Sequence, residues 1–280
     1  MRLNAVKMLG ISITNATRNE ILEEIQKYFV RTQNSMTGTQ KNLVIFTPNT
    51  EQIFLAQKNP EFAKILNQAD VAIPDSAGVV WASTILTKNP INKVTPGVEF
   101  MEDLVAMASK CHVSIGLIGG RDNLAVDTLN CLRQKYSLLQ DSWAQDGPEI
   151  EIQNSELRTK NSNEKIYFER LARRIGRSEA RIVFVALGPP KQEYFIEQLD
   201  KTLRISHCAF PIILMSVGGS FDIISGRLRR APVWMRKLGL EWLWRLILEP
   251  RRIKRQLALI EFVWLVLREK LASKVGTLRS

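Results

Sequence analysis

Short apolar runs alternate with amphipathic stretches along most of this chain. Leu43-Val44-Ile45-Phe46 is continuous, and Val71-Ala72-Ile73, Val113 to Ile118, Ile182 to Leu187 and Pro211 to Val217 read as further strands of similar length. Such runs suit strands covered on both faces. Met8 to Ile13 reads as a first strand, and a weaker one precedes Asp146-Gly147. Helical repeats lie between them: Ile21, Leu22, Ile25 and Phe29 after Thr17; Ile53 and Phe54, then Phe62, Ile65 and Leu66; Gly78 to about Leu86; Leu124 to Leu138; Ile166 to Ile175; Lys191 to about Leu199. Arg31 to Lys41 and Gln153 to Lys165 are polar and read as loops.

Strands alternating with helices of about 10–15 residues build βαβ units. The fold class is therefore α/β, a Rossmann-like, mostly parallel sheet with helices on both faces. Ligands of such sheets bind beyond the carboxyl ends of the strands. Here those ends carry Thr47-Pro48-Asn49, Asp75, Gly119-Gly120, Gly188-Pro189-Pro190 and Gly218-Gly219, so polar and turn-forming residues gather where a ligand would sit. Asp75 reads either as a general base or ligand anchor, or as the N-cap of the next helix. Thr47 and Asn49 could hydrogen-bond a sugar or nucleotide, or serve the turn. Gln192 and Glu193 open a helix and could meet a ligand or serve the helix end. Neither a full GxGxxG nor a Walker A string is present.

Charge changes the picture at the C-terminus. Residues 227–280 hold 14 Lys/Arg against 4 Asp/Glu, a balance of +10 out of the chain's +11, and four of its six tryptophans. The 280 residues thus divide into an α/β core at 1–226 and a basic, Trp-rich helical appendage at 227–280, with helical stretches Val233 to Leu248 and Ile253 to about Leu271. Trp beside Arg and Lys is the composition of an interfacial membrane helix. The longest apolar run, Leu257 to Leu267 with Glu261 inside, is too short to span a bilayer. Met1 to Gly10 lacks the apolar run of a secretory leader. Cys111, Cys131 and Cys208 are odd in number and widely spaced, which argues for a reducing compartment. His112 and His207 each adjoin a cysteine but have no second ligand two to five residues away, so no metal site is expected. Arg245, Arg252 and Arg255 could converge on a diphosphate, or form a solvated basic face or a contact for anionic lipid heads.

Several strings together resemble the WecG/TagA/CpsF family of bacterial glycosyltransferases: Thr47-Pro48-Asn49, Pro74-Asp75-Ser76-Ala77-Gly78, Gly188-Pro189-Pro190-Lys191-Gln192-Glu193, Val217-Gly218-Gly219-Ser220-Phe221-Asp222, Arg230-Ala231-Pro232, and Gly239 to Arg245 with Glu249-Pro250-Arg251-Arg252. The resemblance implies transfer of an N-acetylmannosamine-type sugar from a UDP donor to an undecaprenyl-diphosphate-linked sugar, with inversion, without a metal or other cofactor. It implies Asp75 as general base, Thr47, Asn49 and Gln192 along the pocket, and Arg245, Arg252 and Arg255 on the leaving diphosphate. Gly119, Gly218 and Gly219 join the expected substrate-binding set. The products would feed teichoic acid or other cell-envelope polysaccharide, made at the inner face of the plasma membrane by a peripherally bound cytoplasmic protein. Asp75-Ser76-Ala77-Gly78 stands where the family usually has Asp-Gly, and Lys93 to Glu99 is the nearest segment to its Arg and Gly-x-Asp string. These differences bear on the donor sugar, and another UDP-hexose is the alternative. A nucleic-acid-binding role for the basic segment is the other reading, against which its Trp and Leu content speaks. Self-association is left open.

Overall fold

The computed structural model describes residues 1, 3–33, 41–139, 141–153, 156–159, 163–206, 210–250 and 253–277. Six strands form one parallel sheet: β3 (Leu43–Phe46), β4 (Val71–Ala72), β5 (Ile115–Gly119), β6 (Trp143–Gln145), β9 (Ile182–Ala186) and β10 (Ile213–Ser216), in the order β4-β3-β10-β9-β5-β6. The apolar runs are continuous because both faces are covered. On β9, Val183 and Val185 point to one cluster of buried residues, and Ile182 and Phe184 to the other.

The first face is covered by α2 (Thr50–Lys58), α3 (Pro60–Asn67), α4 (Ala77–Leu86), α7 (Glu164–Ser178) and α8 (Lys191–Ile205). The second is covered by α1 (Arg18–Gln33), α5 (Gly97–Lys110), α6 (Leu124–Lys135) and α9 (Ser220–Ile224). Helix α8 leaves β9 for the first face, while α6 leaves neighbouring β5 for the second. A crevice therefore opens between these two strand ends.

Some local expectations are corrected. Met8 to Ile13 is not one strand: it spans the end of β1 (Ala5–Met8), a turn at Leu9-Gly10 and most of β2 (Ile11–Thr14), which pair as an antiparallel hairpin. Its Thr14 Oγ1 accepts the Ala72 N–H, so the hairpin covers the edge strand β4. Part of the polar Gln153 to Lys165 stretch is a second hairpin, β7 (Ile150–Gln153) with β8 (Glu156–Thr159), whose Ile150 and Leu157 are buried. Helix α5 adds to the expected elements; Phe100, Met101, Leu104, Val105 and Ala108 give it a buried stripe at helical spacing. Helix α8 runs beyond Leu199. The helical stretch Val233 to Leu248 is two helices, α10 (Val233–Lys237) and α11 (Glu241–Leu248).

The last helix, α12 (Ile253–Thr277), packs on α2 and α4. Phe262 and Val266 are fully buried in the first-face cluster. Ile260, Trp264, Leu267 and Leu271 recur on the opposite side at i, i+4, i+7 and i+11, and all are exposed. Arg268, stacked on the Trp264 ring, and Lys270 flank that exposed stripe. Among the described residues, no helix is long and apolar enough to cross a membrane.

The two sides of α12 should respond differently to truncation. Phe262→Ala should lower stability by about 3–5 kcal/mol. Trp264→Ala, at 62% exposure, should cost less than about 1 kcal/mol. Urea unfolding midpoints of the two variants check this, and equal losses would reverse the assignment of the faces.

Candidate active site at the carboxyl edge of the sheet

Because all six strands are parallel, their C-terminal loops open on one edge. Asp75 follows β4, Thr47 and Asn49 follow β3, Gly218 and Gly219 follow β10, Gln192 opens the helix after β9, and Gly119 ends β5. The expected residues thus stand in one row, in the order of the strands. The structure does not bring them all together: β10 and β9 separate Gly119 from the Asp75 end.

Asp75 is not a helix cap. Ser76 caps α4, its Oγ accepting the Val79 N–H. Asp75 Oδ1 instead accepts the backbone N–H of Gly97, the first residue of α5, at 2.7 Å. Only glycine fits there easily. A Cβ on Gly97 would lie 3.2 Å from Thr47 Cγ2 and 3.6 Å from Asp75 Oδ2. Thr47 and Asp75 thus both border Gly97 at the start of α5. Burial pushes the Asp75 carboxyl up to about 7. The Gly97 hydrogen bond pulls it down, Glu241 pushes it up, and Arg245 and Arg230 pull it down. A carboxyl poised near neutrality can take up a proton at physiological pH.

The C-terminal segment supplies the cations. The Arg245 guanidinium lies on Gly219, where any Cβ would collide with it, and its Nε is buried without a hydrogen-bond partner. Arg230 donates to Glu99 Oε1 at 2.7 Å and pairs with Glu241 at 3.5 Å. Glu99, in the first turn of α5, also pairs with Arg18 at 2.7 Å and with Arg236 at 3.5 Å. The appendage is thereby tied to the helix whose N-terminus holds Asp75. Arg252 lies outside the described residues, and so does the side chain of Arg255, which belongs to α12.

Asn49 does cap its helix. It forms a capping box with Gln52 on α2. Thr47 is buried, its Oγ1 donating to the Ser216 carbonyl at 3.4 Å. Gln192 is 2% exposed, and both ends of its amide are used: Oε1 accepts the Gly218 N–H at 3.0 Å and Nε2 donates to Glu193 Oε1 at 2.8 Å. Glu193 has no exposed surface. Burial pushes its carboxyl up to about 8, against the Gln192 and Gln52 amides and the Ser216 hydroxyl, which favour the charged form. The crevice between β5 and β9 encloses about 320 Å³ and is lined by Gly120, Gly147, Leu187, Lys191 and Asp222. Sequence reasoning missed Glu99, Arg230, Arg236 and Glu241 as site residues. Their presence in or beside the quoted strings was the available signal, but the pairing of Arg230 and Arg236 with Glu99 spans more than 130 residues.

A sequence profile described as the Glycosyl transferase WecG/TagA/CpsF family matches residues 6–276. The N-acetylglucosaminyldiphosphoundecaprenol N-acetyl-beta-D-mannosaminyltransferase of Bacillus subtilis (strain 168) is 30% identical over 261 residues, covering 93% of this chain and 90% of that protein. The protein of the same description in Staphylococcus aureus (strain NCTC 8325 / PS 47) is 28% identical over 265 residues, covering 95% and 93%.

The raised Asp75 carboxyl has a stability signature. The folded chain holds this proton more tightly than the unfolded one, so Asp75 lowers stability progressively as pH rises from 3.8 to about 7. Asp75→Asn should therefore gain stability relative to wild type across that window and hold a constant difference above it. Urea midpoints measured from pH 4 to 8 check this, and a difference independent of pH would mean an ordinary carboxyl.

Proposed function

The chain belongs to the WecG/TagA/CpsF family of glycosyl transferases, and on that footing we propose that it moves an N-acetylmannosamine-type sugar from a UDP donor to an undecaprenyl-diphosphate-linked sugar. The observation that carries the reading is the half-buried Asp75 carboxyl, held by Gly97 within the electrostatic reach of Arg245. The printed names of the Bacillus and Staphylococcus relatives support the sugar and the lipid-linked acceptor.

In this reading transfer inverts the anomeric centre in one displacement. The acceptor hydroxyl gives its proton to the Asp75 carboxylate as its oxygen attacks the anomeric carbon. The bond from that carbon to the donor diphosphate breaks, and its electron pair stays on the phosphate oxygen. The charge developing there falls to Arg245 above Gly218-Gly219, with Arg252 and Arg255 from the same appendage. Planar guanidiniums pair with a diphosphate at two points each, the role a divalent cation takes in other transferases. The crevice between β5 and β9 is where the nucleoside would lie, as strand-end crevices of such sheets favour. Asp75→Asn should cut turnover by about two to four orders of magnitude with little change in UDP-sugar binding. Wild-type turnover should rise with pH through about 7 as the carboxylate forms. UDP release from candidate UDP-sugars with a lipid-diphosphate acceptor measures both, and near-normal turnover in the variant would remove Asp75 from the role of base.

The acceptor's lipid puts the reaction at a membrane surface, and the appendage suits one. The exposed Ile260, Trp264, Leu267 and Leu271 stripe, flanked by Arg268 and Lys270, has the form of a helix lying in the interface. We place the protein at the inner, cytoplasmic face of the plasma membrane. Trp264→Ala combined with Leu271→Ala should weaken binding to phosphatidylglycerol vesicles by about tenfold or more and leave the unfolding midpoint nearly unchanged. Sedimentation with the vesicles reads this, and unaltered pelleting would move the membrane contact elsewhere.

A further inference from the structure

Glu193 stands at the middle of a hydrogen-bond chain that ties two loops of the site together. At one end, the Asn49 N–H donates to Gln52 Oε1 at 3.0 Å, and Gln52 Nε2 donates to Glu193 Oε1 at 2.8 Å. At the other, the Gly218 N–H donates to Gln192 Oε1 at 3.0 Å, and Gln192 Nε2 donates to the same Glu193 oxygen at 2.8 Å. The polarity of this chain is forced. Each glutamine's carbonyl oxygen is taken by a backbone N–H, so both NH₂ groups must find an acceptor between them. Gln52, Gln192 and Glu193 are all 2% exposed or less, so water does not supply one. We propose that Glu193 is a positioning residue: its Oε1, shared by the two amides, sets the spacing of the Thr47–Asn49 and Gly218–Gly219 loops, which stand next to Asp75 in the order of the strands.

The proposal rests on the reading of this edge as the transferase site and adds a residue that touches no substrate. Removing the shared acceptor leaves two buried NH₂ groups unpaired. Either glutamine can then flip its amide, setting a donor against the Asn49 or Gly218 N–H and releasing that loop. Gly219 carries the Arg245 guanidinium, so a loop released there also moves the cation that acts on Asp75.

The second oxygen decides the working protonation state. Glu193 Oε2 and Ser216 Oγ are both buried and neither completes a well-formed hydrogen bond, although the Ser216 hydroxyl is near enough to favour the charged carboxyl. The groups that act on the carboxyl are Gln52 from α2, Gln192 and the Glu193 backbone N–H from α8, and the Ser216 hydroxyl from β10; none of them is charged. A neutral acid, with one oxygen accepting and one O–H free to turn toward Ser216, satisfies this environment. Ionisation above about pH 8 would leave a buried charge without a counter-ion between the two loops.

Glutamine reproduces the neutral acid, with one accepting oxygen and one donor, and leucine removes both. Glu193→Leu should lose about tenfold or more in turnover, and hydrogen exchange at the Asn49 and Gly218 amides should speed up by a similar factor. Glu193→Gln should rescue most of both at pH 7. Wild-type turnover should fall above about pH 8, and Glu193→Gln should not show this alkaline decline. A glutamine variant as impaired as leucine, or one that keeps the alkaline decline, would overturn the proposal. So would unchanged exchange at the two amides in Glu193→Leu. If the leucine variant does not fold, the pH profile and amide exchange of Glu193→Gln against wild type still decide. Absence of UDP release by wild type would sink the transferase reading instead, while the exchange measurement would still test the loop spacing.

Discussion

Taking carboxyl groups out of water at one edge of a parallel sheet is the constraint to which the rest of this site answers. Asp75 and Glu193 both sit beyond strand ends, and burial is the largest influence on each. The protein treats them differently. Asp75 receives one backbone N–H at the start of α5 and lies within the field of Arg245 and Arg230, which brings it to about 7. Glu193 receives only uncharged groups and is pushed to about 8. The guanidiniums thus bear on Asp75, whereas the groups around Glu193 carry no charge.

That arrangement requires the C-terminal segment to be in place. Arg245 acts on Asp75 through its field, from α11, with its guanidinium against Gly219. The segment's hold on the core is both ionic and apolar. Glu99 gathers Arg18, Arg230 and Arg236, and Phe262 and Val266 sink into the first-face cluster. The exposed ion pairs add little by themselves. The half-buried Glu99 cluster adds direction, because it fixes the segment to the same first turn of α5 that binds Asp75.

Helix α12 has two apolar sides, which is unusual for a surface helix. One side answers to the core. The other, with Trp264 at 62% and Ile260 at 68% exposure, has no partner within the described residues. A helix built this way can stay packed while its outer face meets an apolar surface, so contact with a lipid boundary need not uncover the site.

The sequence by itself determined the parallel sheet, the row of loops and the distribution of charge, because each depends on local pattern. Runs such as Leu43 to Phe46 are apolar throughout since both sides are covered, and the residues that end them are legible as turns. Tertiary structure alone decided what those residues meet. Asp75 could have capped α4, and only the arrival of Gly97 from 22 residues away gives it another partner. Gln52 and Glu193 are 141 residues apart, and nothing in either neighbourhood marks the bond. The stripe of Phe262 and Val266 could be distinguished from that of Trp264 and Leu271 only by what packs there, since both recur at helical spacing. Hydrogen bonding and burial are set by segments distant in the chain, whereas periodicity and turn chemistry are properties of neighbours, and that difference separates what could be read early from what had to be seen folded.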